Sequence, residues 1–216
     1  MIKKTSYIIY FFLKMINLVL EKFFSRNILV WIKSYIEQDA YRKVKLKSDK
    51  DLIFFSPNYL TDLLIKDFHK KEPETIEWID NFKKDKKIIF WDIGSNIGLY
   101  SIYAATNIEN IEVISFEPST SNLRILSRNI SINHLESKIK IFQIPLGIHK
   151  NNFLEFNEGK FIEGESNNSI DKNINFEGKE MIPANKYQIF STNIDQIIES
   201  QILDIPDYIK IDVDGI

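Results

Sequence analysis

The chain has 216 residues, 44% hydrophobic and 27% charged, which suffices for one buried core and argues against wholesale disorder. A formal net charge of −2 removes the electrostatic footprint of a general nucleic-acid binder, whose affinity comes from clustered Lys and Arg releasing counterions. The absence of cysteine excludes a disulfide framework, a zinc–thiolate site and a cysteine nucleophile, and points to the cytoplasm. Abundant Ile, Asn and Lys with little Ala fit an AT-rich bacterial genome.

The first element is "TSYIIYFFLKMINLVLEKFF". Lys14, Glu21, Lys22 and Arg26 interrupt it, so no uncharged run approaches the roughly 20 residues that cross a bilayer. At helical spacing Ile9, Leu13, Ile16, Leu20 and Phe24 share one face, with Lys14, Glu21, Lys22 and Lys33 on the other side. The pattern reads as a helix docked on its own domain or on a partner, and the alternative is an amphipathic helix on a membrane surface. No small-residue cleavage site follows, which speaks against a signal peptide. Residues 1–43 are thus expected to be a helical extension.

"VKLKSDKDLIFF", from Val44 to Phe55, reads as two short strands around the polar turn Ser48 to Asp51. "EPETIEWIDNF" reads as a helix with Pro73 in its first turn, where a missing N–H costs nothing, and with Ile76, Ile79 and Phe82 as its apolar face. The run Lys83 to Lys87 is a solvated loop that ends this 44–82 segment.

The remainder, 83–216, alternates. "KIIFWDI" is a strand, "IGLYSIYAAT" a helix, "IEVISFEP" a strand, "STSNLRILSRNISINH" a helix capped by Ser119 or Thr120, and "KIKIFQIPL" a strand. A hairpin around "NFLEFNE" follows, then a helix "STNIDQIIES" opened by a Ser/Thr cap and a fourth parallel strand in "DYIKIDVDGI". "EGESNNSIDKNINFEGK" is polar enough to read as a mobile loop. Strands separated by helices pair in parallel through right-handed crossovers, so the fold class is α/β, an open parallel sheet with helices on both faces.

Ligands of such sheets bind outside the carboxyl ends of the strands. Asp92 ends the first strand, Glu117 the second, and Asp212 and Asp214 the last. Any one of these could cap a turn, but together they mark a site. The turn Asp92-Ile93-Gly94-Ser95-Asn96-Ile97-Gly98 places Asn96 where a dinucleotide fingerprint needs its second glycine, and it carries an acid and no base. That chemistry rejects a pyrophosphate and suits the ammonium and hydroxyl donors of S-adenosylmethionine. Glu117 is placed to take two hydrogen bonds from a ribose diol. His134 and His149 read as surface or structural residues, and two acids alone do not make a metal site, so no metal is expected.

The blocks "EPETIEWIDNF", "FWDIGSNIGLYSIYAA", "VISFEPS", "NLRILSRNISIN", "PLG" and "PDYIKIDVDG" resemble the FkbM family of S-adenosylmethionine-dependent methyltransferases over most of Glu72 to Gly215. The resemblance implies a Rossmann-like methyltransferase fold and O-methylation of a hydroxyl on a sugar, a glycan or a natural product. It places Asp92, Gly94, Ser95, Asn96, Gly98, Glu117, Pro118 and Leu146 at the cofactor. Where the family usually shows a glutamate this chain has Asp214. "GESNNS" from Gly164 is similar to the family's loop before the next helix.

An alcohol must lose its proton as it attacks the methyl carbon, which calls for a positioned base, and Asp212, then Asp214, are the candidates. Asp212 is alternatively a ligand of the methionine ammonium. Methyltransferases of this class resemble a seven-stranded sheet, so the sequence reads as lacking the last three strands, with "YIKIDV" as an exposed apolar edge. Two other readings remain: a catalytically silent module that docks through its first helix, and a nicotinamide-dependent oxidoreductase, which Asn96 and Asp92 disfavour.

Overall fold

The computed structural model describes residues 1–46, 50–83, 85–148, 151–174 and 177–213. Ser48 in the expected turn, His149 and Asp214 therefore lie outside the described residues. The chain divides into two compact units, Met1–Tyr41 and Arg42–Ile216.

The first unit holds α1 (Ile2–Phe24) and α2 (Ile28–Gln38). The helix does not run on to Lys33 with one continuous face. Ser25 turns left-handed at φ 51° and Asn27 caps α2 by accepting from Val30 N, so the chain breaks between the two helices. Asn17 Oδ1 accepts from the N–H groups of Ile28 at 2.8 Å and Leu29 at 3.3 Å, taking up two more free donors of the α2 first turn. The covered side of α1 is therefore Leu13, Asn17 and Leu20, while Ile9, Ile16 and Phe24 of the expected face are exposed.

The second unit begins with the strand pair β1 (Tyr41–Lys45) and β2 (Asp51–Phe55). Next come α3 (Tyr59–Lys66), α4 (Phe68–Lys71) and α5 (Pro73–Asp80), with Pro73 in the first turn of α5 as its fixed φ favours. Then follow β3 (Ile88–Ile93), α6 (Leu99–Asn107), β4 (Ile111–Phe116), α7 (Thr120–Ile132) and β5 (Ile139–Phe142). The chain goes on through β6 (Asn152–Glu158), β7 (Asn168–Ile170), β8 (Asn185–Ser191), α8 (Ile194–Glu199) and β9 (Tyr208–Ile211).

The apolar runs form a four-stranded parallel sheet in the order β5-β4-β3-β9. Register pairs Ile93 with Phe116 and with Ile211, and Phe116 with Phe142, so the four carboxyl ends line one edge. The order reverses between β3 and β9, where a ligand crevice is expected in this architecture. Both faces of β3 are buried, which explains its unbroken apolar run. On one face Ile89, Trp91, Ile93, Ile114 and Phe116 pack with Ile197 of α8. On the other, Trp78 and Phe82 meet Phe90 and Tyr208, and Phe82 stacks on Tyr208 at 3.8 Å. This is a Rossmann-like α/β arrangement with helices on both faces.

The hairpin expected around "NFLEFNE" is β6 and β7, which pair antiparallel, and β6 is the middle strand of a sheet β7-β6-β8. Two expectations are corrected. The helix α8 is capped by Asn193, whose side chain accepts from Gln196 N at 2.9 Å. Thr192 instead spends its backbone on Pro145 and Gly147. The polar loop from Glu163 contains β7 and buries Glu165 and Ser169, and its backbone at Gly164 and Glu165 is held by the side chains of Asn96 and Asn122.

Candidate active site

The end of β3 runs into a turn fastened to β4. Gly94 N and Ser95 N both donate to Phe116 O at 3.0 Å, and Gly98 N closes the turn on Ser95 O at 2.8 Å. Gly94, Asn96 and Gly98 all take positive φ, at 82°, 51° and 86°. Glycine meets this without strain and asparagine tolerates it better than most residues. A Cβ on Gly94 would lie 2.0 Å from Asp212 O, and one on Gly98 2.5 Å from Leu126 Cδ1. The two glycines thus let β9 and α7 close on the turn. Ser95 Oγ donates to Phe116 O at 3.4 Å.

Asp92 is fully buried one residue before the strand ends. Its Oδ2 accepts from Ser101 Oγ at 2.6 Å, and Ser101 Oγ accepts in turn from Ser115 Oγ at 2.7 Å. Its Oδ1 makes no hydrogen bond among the described residues, and the nearest cation is Lys210 Nζ at 4.0 Å. Burial raises the Asp92 carboxyl above the ordinary range, against the pull of Lys210 and Ser101. Lys210 is itself 8% exposed, sits over the Tyr100 ring at 4.9 Å and donates to Asp212 Oδ2 at 2.9 Å. Asp212 is exposed and held at the edge by that contact.

Glu117 is buried just past β4. Its Oε2 accepts from Asn96 N and its Oε1 from Ser119 N, both at 2.8 Å. The carboxylate therefore ties the glycine turn to the α7 N-terminus. Burial pushes its carboxyl up to about 7, with the two backbone N–H groups only partly offsetting the desolvation. Pro118 contributes its carbonyl, which accepts from Tyr187 OH at 3.4 Å. Leu146 packs against the Trp91 and Phe116 cluster and bridges Thr192 through its backbone. The sheet brings Asp92, Gly94, Ser95, Asn96, Gly98, Glu117 and Asp212 to one edge; Leu146 serves the core beside it.

The edge also takes in the "GESNNS" loop and, not singled out from the sequence, Asn122, Glu158 and Lys210. Gly164 and Glu165 lie on the turn, their carbonyls accepting from Asn96 Nδ2 at 3.2 and 3.3 Å, while Asn122 Nδ2 donates to Glu165 O at 3.0 Å. Glu158, 1% exposed, accepts from Ser119 Oγ at 2.7 Å and Asn185 Nδ2 at 3.0 Å. Lys210 carried the clearest signal: a lysine amid the apolar run of a parallel strand has both sheet faces around it and needs a carboxylate partner.

Residues 92–216 match the family described as the methyltransferase FkbM domain. Over 55 residues the chain is 36% identical to methyltransferase sdnD of Sordaria araneosa, covering 26% of this chain and 21% of that protein. The match thus spans about a fifth of that relative's length. Among solved structures, the C-terminal domain of precorrin-6Y C5,15-methyltransferase from Rhodobacter capsulatus is 20% identical, covering 35% of this chain and 40% of that chain with a TM-score of 0.31. An SAM-dependent methyltransferase from Agrobacterium tumefaciens is 16% identical, covering 48% and 32% with a TM-score of 0.38.

Proposed function

The chain belongs to the FkbM methyltransferase family, and from that premise we propose that its sheet edge binds S-adenosylmethionine for methyl transfer to a hydroxyl oxygen of a sugar, a glycan or a natural product. The observation that carries this reading is the pairing of two buried carboxylates, Asp92 and Glu117, around a turn with no basic side chain. Anionic acceptors of this kind select hydroxyl and ammonium donors and disfavour a diphosphate. The Oδ1 of Asp92, which has no hydrogen bond among the described residues, fits such a donor. When bound, the cofactor supplies a sulfonium methyl group for in-line displacement.

The chain's own residues then orient the reactants and handle a proton. Asp212 is the candidate base, since its carboxylate stands exposed at the reversal of strand order and is fixed there by Lys210. Asp92, inside and partnered by Ser101, is placed for binding through its free oxygen rather than for proton transfer to solvent.

Isothermal titration tests the reading. S-adenosylmethionine is expected to bind, NADH is not, and Asp92→Asn should weaken the cofactor at least tenfold by removing one buried anionic acceptor. NADH binding with no S-adenosylmethionine binding would overturn the assignment in favour of nicotinamide chemistry.

A further inference from the structure

Helix α1 carries apolar surface that its own unit leaves uncovered. At 100° per residue, Ile8, Phe12, Met15, Ile16, Val19 and Phe23 fall within about a third of the helix circumference. All six are exposed, from 36% for Ile16 to 69% for Phe23. They are not the surface on which α1 meets α2, because that side is Leu13, Asn17 and Leu20, with Asn17 bonded to the α2 N-terminus. Trp31 and Tyr35 of α2 are also exposed, the residue types that favour a boundary between water and hydrocarbon.

The charge of this unit decides between the occupants open to such a stripe. Residues 1–41 hold six cations, Lys3, Lys4, Lys14, Lys22, Arg26 and Lys33, against Glu21, Glu37 and Asp39, a local net charge of +3 in a chain whose total is −2. A second copy would bring like charges together, whereas an anionic lipid surface attracts them. Lys3 and Lys14 lie across the helix from the stripe and Lys4 and Lys22 along its flank, where long stems reach headgroups while the stripe faces acyl chains. Among the described residues no helix is long and apolar enough to cross a membrane.

We propose that α1 lies in the plane of an anionic bilayer surface, its Ile8 to Phe23 stripe in the acyl boundary and its lysines at the phosphates. The inference does not depend on what the sheet edge binds.

The test is flotation of the full chain with vesicles of phosphatidylcholine alone or with about one-third phosphatidylserine. Binding to the anionic vesicles with a blue shift of tryptophan emission, and little binding to the neutral ones, is expected. Val19→Glu should weaken it at least tenfold, and Lys14→Gln with Lys22→Gln by about fivefold for each charge removed. Each of these side chains points outward, and unchanged circular dichroism excludes misfolding as the cause. Absence of binding, equal binding to both vesicle types, or a stable dimer that Val19→Glu dissociates while vesicles are ignored would overturn the proposal.

Discussion

With S-adenosylmethionine at the sheet edge, as proposed, Glu117 should couple cofactor affinity to pH, through surroundings that set its titration. Its carboxyl stands at about 7 against an ordinary 4.5, because burial penalises the charge more than the Ser119 and Asn96 N–H groups favour it. A ribose diol donates to the charged form, so a ligand that uses both oxygens must first have the proton expelled. For a group titrating near 7, the ionised fraction falls from about nine-tenths at pH 8 to about one-tenth at pH 6, and affinity should fall about tenfold. Titration calorimetry at pH 7 in buffers of different ionisation enthalpy should read release of about half a proton per cofactor bound.

The unliganded fold responds with the opposite sign. Between 4.5 and about 7 the native state holds a proton at Glu117 that the unfolded chain has lost, so stability declines as pH rises through that window, by up to ~3 kcal/mol. Glu117→Gln should abolish both slopes. Cofactor affinity that stays flat from pH 6 to 8, with no dependence of the heat on buffer, would show that Glu117 does not accept from the cofactor in its charged form.

Two further outcomes follow from the packing around the turn. Gly94→Ala forces a Cβ against Asp212 O at a left-handed φ, and urea unfolding should show a loss on the order of 3 kcal/mol. Lys210→Met removes the cation beside the buried Asp92, which should cost ~3 kcal/mol near neutral pH. That loss should fade at acid pH as the raised Asp92 carboxyl takes up its proton; an equal loss at neutral and acid pH would count against the pairing.

The parallel sheet is legible in the sequence because its strands are short apolar runs separated by helix-length segments. Pro73 and Ser119 mark their helix starts through local chemistry. What escapes is long-range. Asn129 accepts from Phe55 N at 2.7 Å and donates to Ile97 O at 2.9 Å, joining β2 to the glycine turn through α7. Asn133 accepts from Ile53 N and donates to Ile53 O, fastening β2 to the end of α7. Partners 74 and 80 residues away leave no periodic trace, so these asparagines read as ordinary polar positions. The α3 start is a different case: Asn58 and Thr61 form a reciprocal cap, but threonine replaces the Glu or Gln that usually signals one.

The acids at the strand ends separate two explanations that the sequence leaves superimposed. An acid after a strand can simply cap the next turn, and Glu117 does so, since Ser119 N is its near neighbour and Asn96 N its far one. Its position is thus explained by the fold even with nothing bound. Asp92 is not explained that way. Its Oδ2 accepts from a serine that answers to another serine, and among the described residues its Oδ1 is buried with no hydrogen bond, 4.0 Å from Lys210 Nζ. A buried carboxylate with an open acceptor is unfavourable in the empty fold and becomes favourable when a ligand or water donates to it. A variant series at Asp92 therefore tests the proposed site more directly than one at Glu117, where loss of the turn and loss of the proposed ligand contact would coincide.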